Sequence, residues 1–314
     1  MLAVVFMEFG GPEVLSVKEL TQPVPGPGEV VVWVAASTVN PTDLMMRSGQ
    51  QASLMVGLVP PYIAGMEFSG HIHSVGEGVA SLAPGRPVMG VVNPRRPAGG
   101  AHAQYDCVPA ASVVPLDPSV DLMEAATVPM NGLTSLAALD ALGLQRGSSL
   151  LVTGGAGVLA GYVIQLAKAE GLIVIADANE DAAERLRGLG VDNVVPRGDT
   201  MDAAVRRIFP RGVDGLIDTA LLRDRVAALV RDGGATAALR RTHLISDPRL
   251  RNSYISVIDQ MTNTAALQRL TQLWATGVFA PPVGRPIPMA EAGHAHRLAE
   301  QRGLSGRVVL DFCD

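Results

Sequence analysis

Cysteine is nearly missing from this chain: Cys107 and Cys313 are the only two. Two cysteines make neither a disulfide framework nor a four-cysteine zinc lobe, so both thiols are expected to be reduced and the protein cytoplasmic. A basic excess is missing too. The net charge of −5 gives no reason to expect nucleic acid or an anionic membrane as a partner. There is no uninterrupted apolar run long enough to span a bilayer. The opening MLAVVFMEFG lacks a basic n-region and meets Glu8 early, so it reads as a first β-strand rather than a signal peptide. Internal repeats and low-complexity segments are also lacking.

What is present is a large apolar fraction, 48% against 18% charged residues over 314 positions, which suits a globular chain of about two domains. One stretch stands out. Leu150–Thr153 is an apolar run read as a buried parallel strand. A turn with Gly154, Gly155, Ala156 and Gly157 follows, and then an amphipathic stretch from Val158 and Leu159 to Ala169 predicts a helix. A second strand, Leu172–Ala176, leads into Asp177. This is the strand–turn–helix–strand setting of a dinucleotide-binding fingerprint. The glycines let backbone approach a pyrophosphate, and the helix N-terminus offers unpaired N–H groups to it. Asp177 stands about 20 residues past Gly157, where a carboxylate accepts hydrogen bonds from a ribose 2′-hydroxyl.

Around this stretch the chain changes character twice. Residues 1–118 hold short β-type runs broken by Gly and Pro, among them Val30–Val34, Gly70–Val75, Pro87–Val92 and Ala103–Val108, and read as a mostly antiparallel barrel. Residues 119–262 alternate helix and strand, the pattern of a doubly wound parallel sheet. Residues 263–314 give a helix, then VGRPIPM, a second helix and a closing strand GRVVLDF.

Six blocks in order carry a family resemblance: VNPTDLMMRSG, IAGMEFSGHIHSVGEGV, GGAHAQYDCVPAASVVPLD, ATVPMNGLTSLAAL, LLVTGGAGVLAGYVIQLAKAEGL and AEAGHAHRLAEQRGLSGRVVL. Together they resemble the zinc-independent medium-chain dehydrogenase/reductase superfamily, in its quinone oxidoreductase (zeta-crystallin-like) branch. The resemblance implies an α/β protein with a GroES-like β-barrel domain and a doubly wound Rossmann domain, the C-terminal segment returning to the barrel. It implies an NAD(P)H-dependent hydride transferase. Asn40, Asp43 and Thr134 are the implied catalytic residues. Leu44, Met45, Met46 and Met66 join Asn40 around the substrate. Thr134, the glycine turn with Val158 and Leu159, Asp177, Arg240 and Arg307 are the implied cofactor contacts. A homodimer through Rossmann edge strands is implied as well, with Ala235–Leu239 and Ser253–Ile258 as edge candidates.

Departures from the family pattern shape the expected chemistry. Asn40 and Met66 stand where zinc-dependent members carry cysteine and histidine, so no metal is expected. His71 and His73 lack a third ligand nearby in sequence. Met45 replaces the family's loop tyrosine, leaving an apolar, adaptable wall. Asp177 favours NAD(H) while the family habit favours NADP(H), and the two cofactors stand close to even. The expected partner is a small apolar carbonyl or quinone, reduced at the quinone or at an α,β-unsaturated double bond. Two other readings stay open. One is a biosynthetic enoyl reductase acting on a polyketide-like or acyl-thioester substrate, with Arg95 and Arg96 near carrier phosphates. The other is a non-redox relative keeping fold and cofactor.

Overall fold

The computed structural model describes residues 1–301 and 306–313. Residues 302–305, inside the sixth resemblance block, lie outside them. The chain divides into two compact units, one of Met1–Met130 with Met261–Gln272 and Pro281–Asp314, the other of Asn131–Gln260 with Leu273–Ala280. The first boundary thus falls at Met130 rather than at residue 118.

The first unit is built from β1 (Leu2–Phe6), β2 (Ser16–Glu19), β3 (Glu29–Thr38), α1 (Pro41–Arg47), β4 (Tyr62–Ile63), β5 (Glu67–Val75), β6 (Pro87–Val91), β7 (Tyr105–Pro109), β8 (Val113–Pro115) and the short α2 (Leu122–Ala125). β3 is its spine. It pairs antiparallel with β5, β7 and a late strand, β16 (Arg307–Asp311), which itself runs parallel to β15 (Val283–Pro288). Val30, Val32 and Val34 alternate along β3 into a core shared with Phe68, Val88, Val108, Leu310 and Phe312. Val31, Ala35 and Ala36 are buried too, so β3 is a near-continuous apolar run covered on both faces.

The second unit follows α3 (Pro129–Leu142), where Pro129 opens the helix at a position needing no N–H partner. Then come β9 (Ser149–Thr153), α4 (Val158–Ala169), β10 (Ile173–Ala178), α5 (Glu180–Gly188), β11 (Asn193–Pro196), α6 (Met201–Ile208), β12 (Val213–Asp218), β13 (Val230–Ala238) and β14 (Arg251–Tyr254). All six strands are parallel, in the order β11-β10-β9-β12-β13-β14. The order reverses between β9 and β12, the switch point where doubly wound sheets bind ligands at the strands' carboxyl ends. Between β12 and β13 the segment Arg223–Leu229 winds as a 3-10 helix, tighter than an α-helix. The remaining helices are α7 (Thr264–Ala275) and α8 (Ala292–Glu300). Among the described residues, no helix is long and apolar enough to cross a membrane.

Candidate active site

The glycine turn sits at the carboxyl end of β9. Gly154 takes a left-handed conformation at φ 67° that favours glycine. A Cβ on Gly155 would stand 2.8 Å from the Ala176 Cβ, so this position must stay bare for β10 to pass. Gly157 caps α4 and is exposed. The first N–H groups of α4, at Val158 and Leu159, have no acceptor inside the helix and suit a pyrophosphate. The residues here fit a dinucleotide.

Asp177 differs from its simplest sequence reading. It lies within β10, only 1% exposed, and its Oδ1 accepts the Gly154 N–H at 2.5 Å. Its Oδ2 faces the Arg197 Nε at 3.6 Å. Burial pushes its pKa up, opposed by the Gly154 N–H and by Arg197. A second guanidinium, Arg185, donates from Nη2 to the Ala156 carbonyl at 2.6 Å and so reaches over the turn. Asp177 is thus paired, with the Gly154 N–H on one oxygen and the Arg197 guanidinium facing the other. Arg197 was not picked out in sequence because it follows β11, and only the parallel register of β10 on β11 (Asp177 opposite Val195) brings it close.

In the first unit, Asn40, Met66, Glu67 and Arg307 come together at the ends of β3, β5 and β16. Glu67 is fully buried and ion-paired with the Arg307 Nη2. That nitrogen also donates to the Thr38 Oγ1 at 2.7 Å and the Asn40 Oδ1 at 2.8 Å. Thr38 donates to the Glu67 Oε1 at 2.5 Å. The Asn40 Nδ2 donates to the Thr38 Oγ1 at 3.0 Å and to the Glu67 Oε1 at 3.1 Å. The Met130 N–H donates to the other Glu67 oxygen at 2.8 Å.

Three sequence expectations change on this geometry. Arg307, expected to meet cofactor phosphate or ribose, is 4% exposed and neutralises Glu67 instead. Asn40, implied as catalytic, already has both amide hydrogens directed at Thr38 and Glu67. Asp43, expected in a catalytic role, is a helix cap: its two oxygens accept the Asn40 and Gly65 N–H groups at 2.7 and 2.9 Å. Burial raises its pKa, with His102 and these N–H groups opposing.

The other positions fall as follows. Met46 is buried with Phe6, Met55 and Ala64 and belongs to the core rather than to a pocket wall. Met66 is 1% exposed. Leu44 and Met45 are half-buried on α1. Thr134, 9% exposed, lies on α3, and Arg240 stands exposed just past β13. Arg96, considered for carrier phosphates, pairs with Asp106. Arg95 donates to the Gln51 Oε1 at 2.7 Å.

The donor set at Asn40, Met66 and Glu67 does not fit zinc. An amide and a thioether are poor ligands, and the one carboxylate already faces a guanidinium. Among the described residues, no group of three or more His, Cys, Asp or Glu is placed to hold a metal.

Beneath α1 lies a second buried cluster that the sequence did not signal. The Arg47 Nη1 donates to the His296 Nδ1 at 3.1 Å, and its Nη2 pairs with Glu300 at 2.5 Å. The His102 Nε2–H donates to the Thr38 carbonyl at 3.1 Å, and its ring meets that of His296 edge-on at 6.0 Å. Burial, then the His102 and Arg47 charges, lower the His296 pKa to about 2.

Comparison with known proteins agrees with the two halves of the fold. Residues 26–118 match the alcohol dehydrogenase GroES-like domain, and residues 189–310 match the family described as zinc-binding dehydrogenase. The quinone oxidoreductase of Sus scrofa is 26% identical, over 99% of this chain and 97% of its own. The NAD-dependent alcohol dehydrogenase of Saccharolobus solfataricus is 31% identical over 99% of each chain. A crystal structure of an NAD-dependent alcohol dehydrogenase matches with a TM-score of 0.86 at 29% identity, covering 99% of each chain. With a glycine turn that fits a dinucleotide and end-to-end similarity of this kind, the chain belongs to the medium-chain dehydrogenase/reductase superfamily of NAD(P)H oxidoreductases.

Proposed function

We propose that this protein reduces a quinone, or the activated double bond of an α,β-unsaturated carbonyl compound, with hydride from a nicotinamide dinucleotide and without zinc. The observation that carries the reading is the Glu67–Arg307 ion pair between Asn40 and Thr38. Where a metal would polarise an alcohol or carbonyl oxygen, this chain has a closed set of hydrogen bonds. A conjugated acceptor suits such a site, because its own π-system spreads the charge that arrives with hydride. The dinucleotide, when bound, supplies the hydride; the protein supplies binding, orientation and a dry surface. The glycine turn and α4 hold the phosphates, and Leu44 and Met45 offer an apolar, adaptable surface to the acceptor. Asp43 keeps α1 in place, and the proton that completes reduction comes from solvent. The similarity to a quinone oxidoreductase supports this choice of acceptor.

We further propose that both dinucleotides bind: NADH through the Asp177 carboxylate, NADPH because Arg185 and Arg197 offset that carboxylate's charge.

The test is oxidation of NADPH and NADH against a panel of quinones, enals and simple alcohol–aldehyde pairs, with zinc measured on the same sample. Quinone or enal turnover is expected, with no stoichiometric zinc and no loss on chelation. Gly157→Val should abolish dinucleotide binding in a folded protein, since its side chain would take up the space of the pyrophosphate. Turnover confined to alcohols with about one zinc per chain would overturn the reading. Tight cofactor binding without any turnover would favour a non-redox role.

A further inference from the structure

β15 and β16 pair with one irregularity. Val283 stands opposite Arg307 and Pro286 opposite Val309, so Gly284 and Arg285 together face the single residue Val308. Such a bulge is rare between parallel strands, and bulges re-aim a side chain. Two glycines make room for it. A Cβ on Gly284 would stand 2.5 Å from the Arg307 carbonyl oxygen, and one on Gly306 would stand 3.0 Å from the Gly284 nitrogen. β15 is an end strand of its sheet, and its two prolines, Pro286 and Pro288, discourage a further strand from adding there.

A groove of about 550 Å³ runs between this edge and α8, a size within the usual range for small-molecule sites. All of its lining residues belong to the first compact unit. Its apolar lining includes buried Ile287 and Val308 and half-buried Leu298. Three ionisable side chains also line it, all of them exposed: Arg285 from the bulge, and Glu291 and His294 from the start of α8. Among the described residues, none of these three side chains is hydrogen-bonded to or ion-paired with another group. Arg307 lines the groove as well, but its guanidinium is taken by Glu67.

The charges are set apart along the groove. The chain turns at Met289–Glu291, and α8 folds back onto β15 and β16. Glu291 therefore stands at the turn end, while Arg285 lies three residues before Pro288, about 10 Å down the strand. Glu291, His294 and Leu298 follow one another at helical spacing along one flank of α8. The groove thus presents a cation toward one end, an anion at the other and an apolar middle. A dianion would meet Glu291, and a diamine would meet Arg285. The complement is a molecule with opposite charges at its two ends.

We propose that this groove binds a linear zwitterion, an ω-amino acid or a short peptide, with its carboxylate on Arg285, its ammonium on Glu291 and its chain along Ile287, Leu298 and Val308. The guanidinium matches a carboxylate with paired hydrogen bonds, and the exposure of both charged groups makes the attraction sensitive to salt. The site is distinct from the hydride-transfer reading and does not rest on it.

Titration calorimetry with 8-aminooctanoate, octanoate and octylamine tests the proposal. The wild type should bind 8-aminooctanoate at least about tenfold more tightly than either singly charged probe, a difference of ~1.4 kcal/mol. Arg285→Glu and Glu291→Arg should each weaken that binding at least about tenfold. The double exchange Arg285→Glu/Glu291→Arg should restore most of it, because the probe then lies the other way round. A loss through altered folding would not be restored in this way. Trialanine, of similar length, distinguishes the two sources: tighter binding that His294→Leu removes assigns a peptide, and weaker binding assigns an ω-amino acid. Equal affinity for the three chain probes overturns the proposal, as does a double exchange no better than the single ones. Displacement of 8-aminooctanoate by NADPH also overturns it, since the groove would then belong to the cofactor.

Discussion

At the scale of single residues, neighbours decide what a side chain can do. Asp177 read alone is a carboxylate that welcomes a 2′-hydroxyl and repels a 2′-phosphate. In the fold it is capped by the Gly154 N–H and faces Arg197 at 3.6 Å. The cofactor balance therefore hangs on the pair. Dissociation constants of NADH and NADPH should lie within about tenfold of each other in the wild type. Arg197→Gln should move their ratio toward NADH by about tenfold, the worth of one charge-assisted contact. An unmoved ratio would mean that Arg197 takes no part. The carboxylate itself was legible in the sequence, because its distance from the glycine turn is set by one helix and one strand. Its partner was not, because pairing across β11 obeys no sequence spacing.

At the scale of elements, α1 and α8 are joined by the Arg47, His296 and Glu300 cluster. His296 is held neutral: burial, then nearby positive charge, takes its folded pKa to about 2. The unfolded chain protonates this histidine below about pH 6.5, and the folded one does not, so stability is complete above that value and drains away as pH falls. From pH 7.5 to 5.5 the loss from this one group is about 1.4 kcal/mol. Urea unfolding at several pH values should show a shallower slope for His296→Asn across that window. Comparing variant with wild type removes the contribution of Asp106, whose carboxyl, pushed up to about 6 by burial, works in the opposite direction. Identical slopes would show that His296 is not buried neutral. The α1 motif itself, Asn40-Pro41-Thr42-Asp43, has the residues of a helix start, and the structure uses it as one.

At the scale of the whole molecule, sheet order settles which strand is open. Ala235–Leu239, taken from sequence as an edge candidate, falls largely in β13, which is paired on both sides by β12 and β14. The edges are β11 and β14, and only the start of the candidate Ser253–Ile258 lies on the latter. We expect two chains to pair along β14 as a homodimer, hiding its unpaired backbone groups. Sedimentation at micromolar concentration should give a species of twice the 32.7 kDa chain mass. A single-chain species alone would rule this out.

The sequence by itself determined what rests on local pattern and spacing: strands such as β3 with its apolar run Val30–Val34, the α4 amphipathic face, the glycine turn and the acid that follows it. These depend on backbone geometry over a few residues. Only the tertiary structure decided where charges end up. Arg307 reads as a free cation in SGRVV, yet antiparallel pairing of β16 with β3 carries it to Thr38 and Glu67. The Arg223 and His243 contact likewise joins two loops 20 positions apart. A buried charge takes the nearest opposite charge or polar group because leaving it unpaired away from water is costly, and which group is nearest is a property of the fold.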